Sequence, residues 1–570
     1  MMTDHRLQRR NLRRTLFAGL LGLVGLAILL AAYSGYFHSS FHFDDSHVIE
    51  NNVYIRSLKN APQFFASAAT TSSLPANSNY RPLVTLSLAI DYWLGQNSGP
   101  PNPLQFHVTQ FILLVFLGVL LFFFFRHLVR SHAWRDEIAL LASLVFCVHT
   151  VNTETLNIIS SRSELLSALG ILGAFLIYFY SSLGKRYFLY LLPMMLGALA
   201  KPPAVMFAPL LFVYVFLFET HDKPGRFFLS LKKTWPAFAG GFLLFVFVTR
   251  MEHPEAVYST LSRWDYALNQ PFVWFRYFSL FFIPVGLTAD SDWKLLDHWY
   301  DTRFFAGLFL IGVLSSTAWL MSRRTALRPA AFGLAWFLLA LLPASSFFPL
   351  AEITNEHRVF FPYIGLSLAC VYGVVESLKK RPVCLLCLSL LITGGLAWGT
   401  YERNKVWRTE ETLWYDVTLK SPTNGRALMN YGLTQMSQGK YRRAKEYFER
   451  ALVFNPFYAA LEINLGIVNS SLGDLQTAET HFQRALSLQP RFAEGHYFYG
   501  QWLNQQGRAF EAITHLETAV AISPALASAR SLLMRLYATQ GLEQKLQALV
   551  RQSLALWPED PVAKSYLKKP

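Results

Sequence analysis

The sequence predicts an all-α protein in two parts, a polytopic transmembrane helical body followed by a C-terminal α-solenoid. Three observations carry this. Hydrophobic residues make up 53% of the 570, charged residues only 15%, and Phe alone numbers 48, a composition suited to lipid rather than water. Apolar runs, most of them long enough for a bilayer crossing of about 20 residues, are strung through residues 1–400. From Tyr401 onward the composition turns ordinary and a fixed period of 34 residues sets in.

The N-terminus carries Arg6, Arg9, Arg10, Arg13 and Arg14 ahead of an apolar run from Thr15 to Tyr33. The run has no clear small-residue cleavage site and more spans follow, so it reads as an uncleaved signal anchor with its arginines in the cytoplasm. A first outer loop over 34–105 comes next. Apolar runs then lie near 106–125, 137–151, 164–180, 187–219, 234–249, 271–288, 304–321, 330–348, 359–377 and 383–400. The basic clusters between them, Arg126/Arg130/Arg135, Lys185/Arg186, Lys223/Arg226/Lys232/Lys233, Arg323/Arg324/Arg328 and Lys379/Lys380/Arg381, belong on the cytoplasmic side.

That assignment requires two adjustments. Segment 187–219 has basic flanks at both ends and is interrupted by Lys201-Pro202-Pro203, so it is expected to form a hairpin of two short helices. Segment 271–288 is expected to be re-entrant or interfacial, since a full crossing there would put Arg323 and Arg324 outside. About ten to twelve helices result, with the body ending on the outer side.

Within the second part, Pro422, Pro456, Pro490, Pro524 and Pro558 stand 34 residues apart, the tetratricopeptide period. Gly432, Gly466 and Gly500 let paired helices approach, Ala444, Ala478 and Ala512 pack the second helix, and Ala451, Ala485 and Ala519 precede the closing prolines. The last unit has Met534 and Leu546 at the glycine and first alanine positions, as suits a capping repeat. The domains are therefore 1–400, a connecting half repeat at 401–421 with Trp407 and Trp414, and a repeat array at 422–570. Such an array presents a groove to another polypeptide.

The net charge of +15 does not point to nucleic acid, because the basic residues cluster beside apolar runs as membrane topology places them. Cys147, Cys370, Cys384 and Cys387 all fall in apolar segments and suggest neither a disulfide framework nor zinc.

Ionisable residues near the outer face of so apolar a body are the candidates for chemistry. Asp44-Asp45 opens the first outer loop; adjacent carboxylates there can act as a general base, bind a cation, or simply form a solvated turn. Arg81 and Asp91 follow in the same loop. His149, Glu154 and Arg162 come after the third helix, and Glu154 and Arg162 lie about two helical turns apart, facing one cavity or forming a structural ion pair. Lys201 sits inside a broken apolar segment, where it either contacts an anion or snorkels to the interface. Asp290, Asp292, Glu352, Glu356, His357 and Arg358 add charge on the same side. Several acids and fixed cations near headgroups suit a lipid-linked phosphate leaving group with a carboxylate base, and suit an anion transporter equally.

These motifs together resemble one family, the transmembrane and tetratricopeptide-repeat-containing O-mannosyltransferases, polyprenyl-phosphate-sugar-dependent glycosyltransferases of the C-type fold. The resemblance rests on Phe43-Asp44-Asp45 with Ile49 and Asn52, Tyr80-Arg81-Pro82-Leu83, Phe106-His107-Val108, His149-x-x-x-Thr153-Glu154 with Arg162 and Glu164, Lys201, Pro284-x-x-Leu287-x-Ala289-Asp290, Glu356-x-Arg358 with Pro362, and the repeats. It implies inverting transfer of a sugar, mannose in the best-known members, from a polyprenyl or dolichyl phosphate to a Ser or Thr hydroxyl on the non-cytoplasmic face. By position, Asp44 or Asp45 would be the base. Lys201, with Arg162 or Arg358, would hold the lipid phosphate. Arg81 and Glu154 would shape the sugar pocket, to which His149, Asp290 and Glu356 are added as candidates.

No metal site and no certain cofactor is expected, although paired aspartates leave a divalent cation open. The partners implied are the lipid-linked sugar, an acceptor polypeptide in the repeat groove and membrane lipid. The array is shorter than in animal members, which points to a bacterial inner-membrane enzyme with a periplasmic array; in a eukaryote the array would be lumenal. Two other readings remain, a non-catalytic repeat scaffold anchored in the membrane and a transporter of lipid-linked saccharide.

Overall fold

The computed structural model describes residues 22–95, 99–252, 261–296, 298–345, 349–350, 352–558 and 560–567. The arginines of the N-terminal cluster lie outside them. Among the described residues every regular element is helical, and the chain divides into two units between Leu413 and Trp414.

Among the described residues of the first unit, eight helices are long and apolar enough to cross a membrane: Pro103–Leu128, Ile159–Tyr180, Pro202–Glu219, Arg226–Met251, Thr302–Ser322, Thr325–Ser345, Glu356–Leu378 and Pro382–Val406. Three shorter apolar helices, Gly22–His38, Pro82–Leu94 and Leu191–Ala200, accompany them. The chain is an integral membrane protein. Proline opens several of these helices, at Pro82, Pro103 and Pro382, where its missing N–H costs no intrahelical bond. Segment 271–288 is largely taken up by the helix Arg263–Phe282, which carries Arg263, Asp265 and Arg276 and is not among the eight.

The expected break in segment 187–219 is present. Leu191–Ala200 ends at Lys201, whose backbone is extended, and the chain resumes as Pro202–Met206 and Phe207–Tyr214. Lys185, before the segment, and Glu219, at its end, form an ion pair of 2.7 Å, so the chain enters and leaves at the same end, as a hairpin does. Glu219 also meets Lys233 at 2.7 Å.

Other basic clusters gather at that end. Arg126 pairs with Asp136, His132 lies 3.1 Å from Glu376, which also meets Lys379, and Tyr372 donates to the carbonyl of Ala326. The helix Arg162–Tyr180 links the two poles: its Tyr178 touches Lys185 and Glu219, while Glu164 in its first turn pairs with Lys201. One pole is therefore rich in cations, and the opposite pole carries the candidate site.

The second unit is four helix pairs, Gly425–Ser437 with Tyr441–Phe454, Ala459–Ser471 with Leu475–Leu488, Ala493–Gln505 with Ala509–Ile522, and Ala527–Thr539 with Glu543–Leu556, preceded by Glu410–Lys420 and closed by Pro561–Ser565. Each pair turns on a glycine with positive φ, at Gly439, Gly473, Gly507 and Gly541, the left-handed exit that glycine adopts without Cβ strain. Ala444, Ala478 and Ala512 are fully buried between the paired helices, where a larger side chain would force the helices apart.

Candidate functional site

The site begins where the first described helix ends. Phe43 holds φ at +52°, a conformation uncommon for a bulky residue, and the two aspartates that follow face different surroundings. Asp45 is fully buried. Its Oδ2 accepts from the backbone N–H of His42 at 3.3 Å and of Ile159 at 3.0 Å, and its Oδ1 from that of Ser160 at 2.7 Å. Burial still pushes its acid form up to about 6, because desolvation outweighs three neutral donors. Asp44 is exposed, with Oδ1 at 3.4 Å from His47 Nε2. The contact with His47, reinforced by the charges of Arg81 and His357, holds it below its ordinary carboxylate value.

Cations from three separate segments close on the same place. Arg81 stands just before the helix Pro82–Leu94 and lies within electrostatic reach of both Asp44 and Lys201. Lys201, at the apex of the hairpin, pairs with Glu164. Arg358 is nearly buried, its Nη1 donating to the Ile353 carbonyl at 3.2 Å and its Nη2 3.9 Å from Glu352. It adds to the positive charge felt by Lys201. His357 contacts Glu154, whose Oε1 accepts from the backbone N–H at 3.1 Å and lies 2.7 Å from Nδ1. Glu154 is buried, and desolvation raises its acid form above the ordinary range. Glu356 next to it accepts from the N–H of Thr288 at 2.6 Å and is buried.

The structure therefore brings Asp44, Arg81, Lys201, Arg358 and Glu154 together and turns other candidates inward. Arg162, expected to hold phosphate, is fully buried and committed to protein: 2.6 Å to Asp91, 3.0 Å to Gln110 Oε1 and 3.0 Å to the Phe106 carbonyl. The structural ion pair it forms is with Asp91, across helices, and not with Glu154. His149 is likewise buried, its Nε2 3.0 Å from the Phe281 carbonyl and its ring stacked on Phe281. Asp290 is buried, and its backbone carbonyl accepts from Thr288 Oγ1 at 2.6 Å. Sequence reasoning assigned no role to His47, Glu164 or His357. A histidine three residues beyond Asp44 and an acid in the first turn opposite Lys201 were the available signals.

Among the described residues no three His, Cys, Asp or Glu side chains converge on one point. Both oxygens of Asp45 are engaged by backbone N–H groups, whereas Asp44 is open to its surroundings.

Residues 425–458 and 463–492 match tetratricopeptide-repeat family models. The C-terminal unit is a tetratricopeptide-repeat solenoid. Over a longer stretch the chain is similar to the protein O-mannosyl-transferase F38B6.6 of Caenorhabditis elegans, 26% identical across 77% of this chain and 63% of that protein. It is also similar to the protein O-mannosyl-transferase TMTC4 of Mus musculus, 26% identical across 75% of this chain and 65% of that one. The chain thus spans just under two thirds of the length of these relatives. Both are animal proteins, so the bacterial origin suggested by the short array gains no support from them. A tetratricopeptide-repeat protein of Thermus thermophilus is 23% identical over 30% of this chain and 89% of its own, with a TM-score of 0.25.

Proposed function

We propose that this chain is a membrane glycosyltransferase that moves a sugar, mannose by analogy with its relatives, from a polyprenyl-phosphate donor to a Ser or Thr hydroxyl of a polypeptide. The observation that carries this reading is the division of labour between the paired aspartates. Asp44 is exposed, held in its ionised form and faced by cations, whereas Asp45 is spent on the backbone.

In the reaction, Asp44 takes the proton of the acceptor hydroxyl as that oxygen forms its bond to the anomeric carbon. The bond from that carbon to the phosphate oxygen breaks with its electron pair, and Lys201 and Arg358 stabilise the departing phosphate dianion. Attack opposite the leaving group inverts the anomeric centre. Arg81, between Asp44 and Lys201, orients the donor, and Glu164 holds the Lys201 ammonium in place. Glu154 and Glu356 form the wall behind His357. Arg162 supports the site through Asp91 rather than touching phosphate.

The cation-rich pole is assigned to the cytoplasm by the positive-inside rule, which places Asp44 and the repeats on the opposite side. Residues 1–400 then form the transferase body, 401–421 the connector and 422–570 the array that recruits the acceptor. The similarity to protein O-mannosyl-transferases supports the reaction class.

The test is transfer of radiolabelled mannose from polyprenyl-phosphate mannose to protein by membranes carrying the wild type or Asp44→Asn. Incorporation lost in a variant that still inserts supports the reading. Equal incorporation in both, or none with any polyprenyl-phosphate sugar offered to the wild type, overturns it.

A further inference from the structure

The first tetratricopeptide repeat differs from the two that follow in both charge and surface. Residues 425–458 carry Arg426, Lys440, Arg442, Arg443, Lys445 and Arg450 against Glu446 and Glu449 alone. Residues 459–526 reverse the balance, with six acids and three arginines. The same first repeat exposes large apolar side chains at its end: Val453 is 74% exposed, Phe457 81%, and Phe454 and Tyr458 about two fifths. At the positions equivalent to Val453 and Phe457 the next repeats have Ser487 and Arg491, then Ala521 and Ala525. One repeat earlier, Leu419 matches Val453 and is 64% exposed. Farther along, Leu472 and Leu475 are about two fifths exposed, and Phe510 and Leu556 stand singly.

Helix geometry puts charge and apolar surface side by side. Arg443, Arg450 and Phe454, at i, i+7 and i+11, share one stripe of Tyr441–Phe454, and Phe457 and Tyr458 lie in the connection that follows. The guanidinium of Arg443 lies over Tyr431 and that of Arg450 over Tyr447. Val453 lies on the face opposite Ala444, Phe448 and Ala451, the residues packed into the solenoid core. It points away from the groove that the first helices of the repeats line.

Aromatic and aliphatic side chains flanked by Arg and Lys are the pattern of a surface lying at headgroup level. In the chain this repeat comes one helix, Glu410–Lys420, after Pro382–Val406, the last helix among the described residues able to cross the membrane. We propose that the first repeat rests on the bilayer surface, its Val453–Tyr458 edge entering the interface and Arg443 and Arg450 meeting anionic headgroups. The array is thereby held against the membrane on which a lipid-linked donor would travel.

The experiment uses the full chain in nanodiscs of phosphatidylglycerol or of phosphatidylcholine alone. Phe457→p-benzoylphenylalanine and, as a matched control one repeat on, Arg491→p-benzoylphenylalanine are irradiated and adducts are identified by mass. Lipid adducts at 457 in phosphatidylglycerol discs, at least tenfold over 491 and reduced in phosphatidylcholine, are expected. Equal or absent lipid adducts at 457, or adducts to polypeptide instead, overturn the proposal. Hydrogen exchange of the unmodified chain is a second readout: amides of 453–458 exchange more slowly in phosphatidylglycerol discs, and equal rates in the two lipids overturn it.

Discussion

Asp44 and Asp45 are adjacent in the chain, yet the side chain of Asp44 is 67% exposed while Asp45 is fully buried. The left-handed Phe43 before them and the backbone N–H groups of Ile159 and Ser160 impose this split. Asp44→Asn removes a base and disturbs no buried bond, so the transfer rate is expected to fall by about 10² to 10⁴ with little change in thermal unfolding. Asp45→Asn turns an amide N–H toward backbone donors, which is expected to destabilise the fold by about 1–3 kcal/mol. Transfer assays paired with unfolding in detergent separate the two.

The two carboxyls also give opposite pH signatures. Asp45 titrates near 6 in the folded protein, above the ordinary value of about 3.9, so the folded state binds its proton more tightly. Its contribution to stability is full at low pH and is lost as pH rises from about 4 to 6. Asp44 is shifted downward, so its contribution is present above the ordinary carboxylate range and is lost on acidification through its lower folded value. Unfolding measured from pH 4 to 7 is expected to show a falling stability term that Asp45→Asn removes. The acid limb of kcat/KM, set by Asp44, should lie below the ordinary carboxylate range.

How far these features were legible beforehand depends on the kind of signal. The repeats were, because glycine, alanine and proline recur at a period that only stacked helix pairs require. The break at Lys201 was, because Lys-Pro-Pro cannot continue an apolar helix. The fates of Asp44, Arg162 and His149 were not. A non-periodic loop gives no indication of which of two adjacent side chains turns inward, and the partner that buries Arg162 is Asp91, 71 residues away in sequence. The four glycines that turn each helix pair were present in the sequence at the repeat period, but their left-handed φ is a property of the fold.

The Arg162–Asp91 pair is a second test of position against chemistry. Removing one partner leaves a buried charge unpaired, so Arg162→Ala or Asp91→Ala alone is expected to cost about 3–5 kcal/mol. The double variant should lose less than the two singles together. Donor KM in whatever folded fraction remains should stay near wild type, which distinguishes a supporting arginine from one that binds phosphate.

Lys201 should behave in the reverse way. It is partly exposed and its partner Glu164 is near the site, so Lys201→Met is expected to lower kcat/KM for the lipid donor by about 10- to 100-fold with modest loss of stability. Lys201→Arg should restore part of that loss if the site needs charge alone. Initial rates across donor concentrations, with unfolding as control, decide between an ammonium that serves the leaving phosphate and one that merely snorkels.

In the solenoid the governing constraint is steric. A Cβ built on Gly432 would lie 2.5 Å from the ring of Phe448, and on Gly466 2.9 Å from that of Phe482, both closer than carbon atoms can pack. Gly432→Ala therefore has to push Phe448, itself fully buried, out of its place, at an expected cost of about 1–3 kcal/mol. Helix propensity works in the opposite direction, since alanine is favoured over glycine within a helix by about 1 kcal/mol, so a net loss of stability would isolate the steric term. Phe448→Leu in the Gly432→Ala background removes the ring edge that the new methyl meets and should recover part of the loss. Because repeat arrays are coupled through neighbouring interfaces, the loss should appear in hydrogen exchange of the helices Gly425–Ser437 and Tyr441–Phe454 first and fade toward Glu543–Leu556. Uniform loss along the array would instead mean that the four pairs unfold as one.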